Sequence, residues 1–309
     1  MPGERGQQQE RAHADGGREQ QTPISYGHAH AAAKYGNCDK RLDHQNITES
    51  APAGPILLDM AYVDLHFHLL PGVDDGPADM DASLELARRA VADGSSTVVA
   101  TPHVRADLGL TDAVEIHARL LELRGAIAAA GIDLEVRCGA ELGHEMVSRM
   151  RQSELDLLAQ GPPERRWVLV ETPFHGIGED FHDATEELRE RGYGVLIAHP
   201  ERSADASLDA AAGLRRELAA GSLAQVNALS LTGQHGEEAC GAVWTLIAEG
   251  LIEVVASDAH GPTRPPAMGL ARRTLLEVGV SPRVAEGLTS SGPHRLLAVG
   301  IGSRSVLAA

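Results

Sequence analysis

The chain of 309 residues is long enough for two average domains or for one α/β barrel of about 250 residues, and its composition is that of a globular protein. Aromatic residues make up only 3% and the formal net charge is −17, which argues against nucleic acids and anionic membranes as partners unless a bound cation reverses the local charge. The only two lysines, Lys34 and Lys40, precede residue 60, which excludes Schiff-base lysines, pyridoxal phosphate enzymes and Walker-type phosphate loops from the remainder.

The first 59 residues differ from the rest of the chain. They are rich in Gln, Gly, His and charged residues and lack apolar periodicity, which predicts a disordered tail. Met60 directly precedes a strong strand pattern, so translation could begin there, and residues 60–309 are predicted to form one domain. His28 and His30 have the spacing of a ligand pair, but no neighbouring fold fixes them and we predict no metal site in the tail.

From residue 61 onward, strand-like and helix-like segments alternate. Short apolar runs predict seven buried parallel strands at 62–66, 97–101, 134–139, 167–171, 194–199, 224–227 and 253–257. Amphipathic patterns predict helices at 81–93, 111–130, 181–191, 207–220 and 237–249, followed by a helical segment at 264–297. Seven strand–helix units in about 250 residues indicate a single closed α/β barrel rather than two domains.

Polar residues end nearly all of these strands, on the face where barrel enzymes carry their chemistry. In chain order they are His66, His68, His103, Glu141, Glu171, His199, Asn227, Asp258 and His260. A buried ionisable side chain is unfavourable unless it is paired, so the set predicts a shared metal site. Imidazole and carboxylate without thiolate favour Mn, Fe or Zn over Cu(I), iron–sulfur clusters, Mg or Ca. The other histidines after residue 60 are predicted to lie on the surface or to pack: His117, His144, His175, His182, His235 and His294.

The three cysteines exclude several further kinds of site. Cys38, Cys138 and Cys240 contain no C-x-x-C pair, which argues against a disulfide framework or a thiolate zinc site and favours a reducing cytoplasm. A cysteine-nucleophile phosphatase needs an arginine six positions after its cysteine, but His144 and Leu246 stand at those positions after Cys138 and Cys240.

No apolar run reaches the roughly 20 residues of a membrane span, and no signal peptide is recognisable.

The sequence around the predicted ligands resembles a known family. The motifs are DLHFHLLPGVDDGP at 64–77, TPH at 101–103, GAE at 139–141, AHPER at 198–202, QVN at 225–227, VASDAH at 255–260 and RPP at 264–266. They resemble the polymerase-and-histidinol-phosphatase (PHP) superfamily and, more narrowly, the bacterial manganese-dependent protein-tyrosine phosphatases of capsule and exopolysaccharide operons. The resemblance covers residues 60–300.

This resemblance implies a fold and a set of site residues. The fold is a distorted seven-stranded β/α barrel, TIM-like, that holds three Mn²⁺ ions, or Fe or Zn in their place, at the C-terminal ends of its strands. The implied ligands are His66, His68, Glu141 and Asp258 for the first metal, Glu141, Glu171 and His199 for the second, and Asp75, His103 and His260 for the third. The implied phosphate-binding residue is Arg202.

The charges of this ligand set agree with a phosphatase. Four carboxylates and three divalent ions leave a charge of about +2, which attracts a phosphate dianion into an otherwise acidic protein. The expected reaction is hydrolysis of phosphotyrosine by a metal-bridging hydroxide, without a phosphoenzyme. The expected substrate is a tyrosine kinase of polysaccharide export.

Two other functions stay open at this point, together with the metal, the substrate and the oligomeric state. One is a small-molecule phosphoesterase such as a histidinol-phosphate phosphatase, and the other is a non-catalytic metal-binding domain. The loop at 104–110 departs from the family pattern at the rim of the site, which bears on substrate preference.

Overall fold

The computed structural model describes residues 61–107, 112–204 and 211–303, and the predicted tail lies outside them, so the tail stays a prediction. The described residues form an α/β fold with nine strands. The strands are β1 (Tyr62–Phe67), β2 (Ser95–Ala100), β3 (His103–Val104), β4 (Glu135–Cys138), β5 (Glu141–Gly143), β6 (Trp167–Glu171), β7 (Gly194–Ala198), β8 (Leu223–Asn227) and β9 (Val254–Ala256). The helices are α1 (Met80–Asp93), α2 (Ala113–Ala129), α3 (Gln152–Leu158), α4 (Glu179–Glu190), α5 (Ala212–Ala219), α6 (Glu237–Ala248), α7 (Met268–Glu277), α8 (Pro282–Glu286) and α9 (Gly292–Val299).

The strands form two sheets in which every pairing is parallel. One sheet has the order β1-β2-β4 and the other the order β3-β5-β6-β7-β8-β9. The two sheets meet where the end of β1 lies beside the segment after β9, through a parallel bridge between Phe67 and Ala259. There the backbone N–H of Asp258 donates to the carbonyl of His66 at 2.9 Å. The arrangement is barrel-like, and this line of contact is called the β1–β9 seam below.

The predicted count of seven strands differs from the nine observed because two short strands, β3 and β5, follow the predicted strands at 97–101 and 134–139 after a break and were not predicted. Pro102, which has no N–H to donate, separates β2 from β3. Gly139 and Ala140 separate β4 from β5, and a Cβ on Gly139 would lie only 2.6 Å from Cγ1 of Val99. Each break leaves a short second strand, which begins with His103 in β3 and with Glu141 in β5.

The helices agree with their predicted positions within a few residues where the structure describes them. Residues 108–111 and 205–210 lie outside the described residues, so the predicted starts at 111 and 207 are not compared. The predicted helical segment at 264–297 contains α7, α8 and α9, with one turn of π-helix at Gly287–Ser291. Helix α3, which has only seven residues, was not predicted. Among the described residues, no helix has the length and apolar character needed to cross a bilayer.

Strand periodicity carries polar side chains to one end of the fold. Alternate residues of a strand share a face, so Gln225 and Asn227 of β8 lie on one face, while Ala224 and Val226 on the other join the main apolar core. Glu171 ends β6 in the same way, after the buried Trp167 and Leu169. The last residues of the strands are therefore free to form a polar site, while the core packs beneath them.

A buried ion-pair network joins α4 to α5, on the flank of the sheet. The carboxylate of Glu217 accepts hydrogen bonds from His182 Nδ1 at 2.5 Å, Arg189 NH1 at 2.9 Å, Thr185 Oγ1 at 2.9 Å and Ser222 Oγ at 2.9 Å. Burial alone would raise the pKa of this carboxyl, but the hydrogen bonds from His182 and Arg189 hold the pKa below its usual range. His182 is thus a packing residue, as predicted.

We expect Glu217→Leu to lower the free energy of unfolding by about 3–5 kcal/mol, because it leaves the partly buried Arg189 without its counter-charge. The measurement is urea denaturation at pH 7, with Glu249→Gln as the control. Glu249 pairs with Arg215 on the surface, where such pairs contribute about 0–1 kcal/mol. Since the pKa of Glu217 is lowered in the folded protein, its contribution is present at neutral pH and is lost as the pH falls through that value. Equal losses in the two variants would contradict this account.

Candidate metal centre

The nine predicted metal ligands lie near or after the ends of strands: His103 and Glu141 closely follow β2 and β4 and begin β3 and β5, and Asp75 lies in the loop after β1. His66 lies near the end of β1 and Glu171 ends β6, while His199 directly follows β7. Seven of the nine are buried, His103 is half-buried and Asp75 is exposed. His199 and Asp258 have positive φ angles of 37° and 54°, which residues other than glycine rarely adopt outside functional sites.

The central group consists of four side chains, from β1, the residue after β1, β5 and the segment after β9. Nε2 of His66 lies 3.1 Å from Nε2 of His68 and 3.1 Å from Oε2 of Glu141. Oδ1 of Asp258 lies 3.3 Å and 3.4 Å from the same two ring nitrogens. In a tetrahedron with metal–ligand bonds of about 2.0 Å, the ligand atoms are about 3.3 Å apart, so the group has the dimensions of a metal site. These are the four residues expected around the first metal.

Hydrogen bonds on the far side of the rings direct their lone pairs into this group. Nδ1 of His66 donates to Gln225 Oε1 at 3.1 Å, and Nδ1 of His68 donates to Asp74 Oδ2 at 2.8 Å. Nδ1 of His260 donates to the carbonyl of Asp258 at 2.8 Å. In each ring the bond keeps the proton on Nδ1, so Nε2 faces the site and is the nitrogen that would ligate a metal after losing its proton.

Among the described residues, several buried atoms of the site form no hydrogen bond of acceptable geometry, although polar atoms lie close to some of them. They are Glu141 Oε2, His103 Nδ1, His199 Nδ1 and His260 Nε2. Buried polar atoms without partners are rare and costly, and a cation among them would satisfy them together. The residues present therefore fit divalent metal ions.

Two further groups of potential ligand atoms adjoin the central one. His68, Asp75, His103 and His260 form one of them, with His260 Nε2 3.1 Å from Asp75 Oδ1. This group contains the three residues expected around the third metal.

The other group contains Glu141, Glu171 and His103, whereas the resemblance implied His199 as the third member. Nδ1 of His103 lies 3.0 Å from Glu141 Oε2 and 3.8 Å from Glu171 Oε2. His199 lies on the other oxygen of Glu141, with Nε2 2.7 Å from Oε1. His103 thus belongs to two groups. Oε2 of Glu141 faces His66, His68 and His103, whereas Oε1 faces His199.

The site favours an ionised Glu141 and a neutral His103. Burial alone would raise the pKa of Glu141, but the charge of His66 and the hydrogen bond from His199 hold this pKa well below its usual range. Burial lowers the pKa of His103 to about 4. Burial and the nearby charge of Glu141 raise the pKa of Glu171 to about 7. Anionic oxygen and neutral imidazole at pH 7 are the forms that bind metals.

A directional chain of side-chain amides connects two ligands of the central group, and the sequence analysis did not assign it a role. Nδ2 of Asn227 donates to Asp258 Oδ2 at 2.7 Å, and Nε2 of Gln225 donates to Asn227 Oδ1 at 2.9 Å. The remaining oxygen of Gln225 accepts from His66. Because an ionised carboxylate can only accept, Asp258 fixes the orientation of both amides and thereby the tautomer of His66. The signal in the sequence was two polar residues on one face of a buried strand.

We expect Asn227→Leu to weaken metal binding about 10- to 100-fold, because it removes the donor to Asp258 and frees the orientation of Gln225. Titration of the metal-free protein with Mn²⁺ measures this directly, independent of turnover. The control is Gln160→Leu, which removes another buried amide that donates to the carbonyls of Cys138 and Leu158 rather than to a predicted ligand. An unchanged affinity in Asn227→Leu, or an equal loss in both variants, would show that the chain does not orient the ligands.

Three arginines surround the ligands, although the sequence analysis singled out only Arg202. NH1 of Arg202 donates to Asp258 Oδ2 at 3.2 Å. Arg264 contacts Asp75 through NH2 at 2.5 Å, and NH1 of Arg105 lies 2.9 Å and 3.0 Å from the two oxygens of Glu171. Arg264 belongs to the RPP motif, which was noted only as a family signature, and Arg105 belongs to the unusual loop at 104–110. Positive charge at this position suits an anionic substrate.

Comparison with known protein families shows the family of this chain. The capsular polysaccharide synthesis family CpsB/CapC matches residues 62–298. The chain belongs to this family. The CpsB/CapC match includes every predicted metal ligand and all three arginines.

Individual CpsB/CapC relatives agree over most of the chain. CapC of Staphylococcus aureus is 31% identical over 67% of this chain and 80% of its own length. The tyrosine-protein phosphatase YwqE of Bacillus subtilis is 29% identical over 64% of this chain and 77% of its own.

Solved structures agree with the fold of this CpsB/CapC member. A structure described with YwqE from Bacillus subtilis and CpsB from Streptococcus pneumoniae, as unique metal-dependent tyrosine phosphatases, matches with a TM-score of 0.64 and 26% identity. The match covers 79% of this chain and 98% of that one. The phosphotriesterase homology protein of Escherichia coli, at 13% identity and a TM-score of 0.51, covers 76% of this chain and 98% of its own and shows the shared fold alone.

Proposed function

We propose that this protein is a metal-dependent phosphatase that hydrolyses phosphotyrosine on proteins. The observation that carries the proposal is the central group, in which four ligand atoms from distant parts of the chain lie at the mutual distances of a metal site. The proposal is supported by the CpsB/CapC family match and by relatives named as tyrosine-protein phosphatases.

For the centre we propose three Mn²⁺ ions, with Fe and Zn as alternatives. The proposed ligands are His66, His68, Glu141 and Asp258 for the first ion, Glu141, Glu171 and His199 for the second, and Asp75, His103 and His260 for the third. His103 Nδ1 is a further donor toward the second ion, given its distance of 3.0 Å from Glu141. Divalent ions in this set supply Lewis acidity toward phosphate oxygens and lower the pKa of water toward neutrality.

The arginines bind and orient the phosphate in this proposal. The guanidinium of Arg202 has five N–H donors, and its hydrogen bond to Asp258 uses one of them. The other donors can pair with two phosphate oxygens. Arg264 lies on the same carboxylate, with NH1 3.9 Å from Asp258 Oδ2. Both cations lie beside the ligands, where they offset the negative charge of an incoming dianion.

The experiment that tests the proposal compares phosphate release from a phosphotyrosine peptide and from histidinol phosphate, with and without Mn²⁺. We expect Mn²⁺-dependent release from the peptide to exceed release from histidinol phosphate. A preference for histidinol phosphate would favour a small-molecule phosphoesterase. Metal binding without release from either substrate would favour a non-catalytic metal-binding domain.

The biological setting is proposed from the family description and the cysteine content. We propose a cytoplasmic tyrosine kinase of polysaccharide export as the substrate, supported by the family description as capsular polysaccharide synthesis. We keep residues 60–309 as a single catalytic domain, supported by the family match at 62–298. A cytoplasmic location is supported by cysteines that offer no disulfide framework.

A further inference from the structure

Among the described residues, Phe174 is the exposed aromatic residue. The described residues contain seven Trp, Tyr and Phe side chains, of which five are buried and Tyr62 is half-buried. The side chain of Phe174 is 54% exposed. The other large exposed apolar residues of the described part lie on helices: Val91, Val114, Leu121, Leu276 and Val299. Phe174 instead lies in the loop after β6, three residues beyond the predicted ligand Glu171.

The ring of Phe174 lies against Arg202. Cζ of Arg202 is 5.3 Å from the centroid of the ring, within the range of a cation–π contact. On its other side, the guanidinium contacts Asp258 of the central group. The order is therefore metal ligand, phosphate-binding arginine and exposed aromatic ring, from the interior of the site toward solvent.

Backbone and side-chain bonds hold this loop in place. The N–H of Ala204, two residues after Arg202, donates to the carbonyl of Phe174 at 2.9 Å. Thr172 Oγ1 donates to the carbonyl of Ala198 at the end of β7, at 2.6 Å. The loop that carries Phe174 and the loop that carries Arg202 are thus tied together, so the ring has a defined position relative to the arginine.

We propose that Phe174 is a specificity-determining residue, whose ring packs against the aromatic ring of phosphotyrosine while Arg202 holds the phosphate. In phosphotyrosine the phosphate oxygen is attached directly to the ring, so a bound phosphate places that ring beside the groups that hold it. Aromatic pairs favour stacked or edge-to-face contact at centroid distances of about 4.5–7 Å. A phosphoserine side chain offers no flat apolar face at this point. The inference rests on the proposed function, because it assigns Arg202 to the phosphate.

Phe174 could instead act only by positioning Arg202, and the two roles predict different binding of inorganic phosphate. If Phe174 only positioned Arg202, its loss would weaken binding of every phosphate compound, including inorganic phosphate, which has no ring. If Phe174 contacts the substrate ring, its loss weakens binding of the phosphotyrosine peptide but not of inorganic phosphate. The two roles are therefore separable within one set of measurements.

The experiment uses the full-length protein loaded with Mn²⁺, and compares wild type with Phe174→Leu and Phe174→Tyr. We expect Phe174→Leu to raise KM for a phosphotyrosine peptide about 3- to 10-fold with kcat nearly unchanged, as loss of an aromatic pair implies. The inhibition constant of inorganic phosphate should stay within about twofold, and Phe174→Tyr should restore KM. Leu121→Ala is the control, since Leu121 is equally exposed, at 53%, but lies on α2.

Each outcome bears on the inference. An unchanged KM in Phe174→Leu, or a parallel rise in the inhibition constant of phosphate, overturns the substrate contact. A rise in KM that Leu121→Ala reproduces also overturns it. If wild type releases no phosphate from the peptide while it binds Mn²⁺, the proposed function itself fails, and the inference fails with it.

Discussion

Removal of divalent metals with a chelator is expected to abolish phosphate release from a phosphotyrosine peptide, and added Mn²⁺ is expected to restore it. Without cations, the cluster of Asp75, Glu141, Glu171 and Asp258 repels a phosphate dianion, and only the arginines remain to act on the phosphate. Metal ions contribute several kcal/mol to such reactions, so we expect a loss of about 1,000-fold or more.

The measurement combines phosphate release with elemental analysis of the same sample. Circular dichroism of the chelated protein serves as a control for loss of fold, and recovery on metal addition excludes irreversible damage. Mn²⁺, Fe²⁺ and Zn²⁺ added in separate titrations identify the metal that supports turnover. Full activity in a sample shown to be metal-free would contradict the proposed mechanism.

Arg202→Ala is expected to retain its metals and its fold but to lose phosphate positioning. Removing a charge-assisted contact of this kind costs about 2–4 kcal/mol of transition-state stabilisation, or roughly 30- to 1,000-fold in rate. Arg202→Lys should restore only part of the rate, because a point charge does not reproduce the guanidinium fork. The matched control is Arg215→Ala, which removes a surface arginine that pairs with Glu249.

His199→Ala separates binding of the phosphate from binding of the metal. Its ring contacts Glu141 directly, so we expect lower metal occupancy together with a lower rate. Metal content and turnover are measured on both variants. If Arg202→Ala turned over the peptide at the wild-type rate, Arg202 would have a structural role and the proposed phosphate site would be wrong at this position.

The sequence was most informative where the information is local. Apolar runs located β1, β6, β7, β8 and β9 within one or two residues, because buried parallel strands leave a continuous apolar signal. The polar residues at their ends then indicated one shared site, since parallel strands end on the same side of the fold. The family resemblance added the assignment to individual ions, which strand pattern alone does not provide.

The features of the fold and the site that were not predicted depend on contacts between distant parts of the chain. The break at Gly139 follows from the close approach of Val99, about 40 positions earlier, and periodicity does not report such approaches. His66 and Gln225 are 159 positions apart, and the hydrogen bond between them exists only after folding. For the same reason, neither the contact of Phe174 with Arg202 nor the position of His103 beside Glu141 was predictable from residue type and spacing.

The position of the metal centre at the β1–β9 seam gives it a role in stabilising the fold. It joins the first and last strands, as in the hydrogen bond from Ser257 N to Asp64 Oδ1 across 193 positions of sequence. His66 and His68 lie on one side of this seam, and Asp258 and His260 on the other. A cation that binds both sides cross-links the chain between His68 and Asp258. Such a cross-link opposes unfolding because it restricts the conformations of the unfolded chain. The seam cannot open without breaking the metal–ligand bonds on one side. The metal that serves the reaction would therefore also stabilise the folded protein.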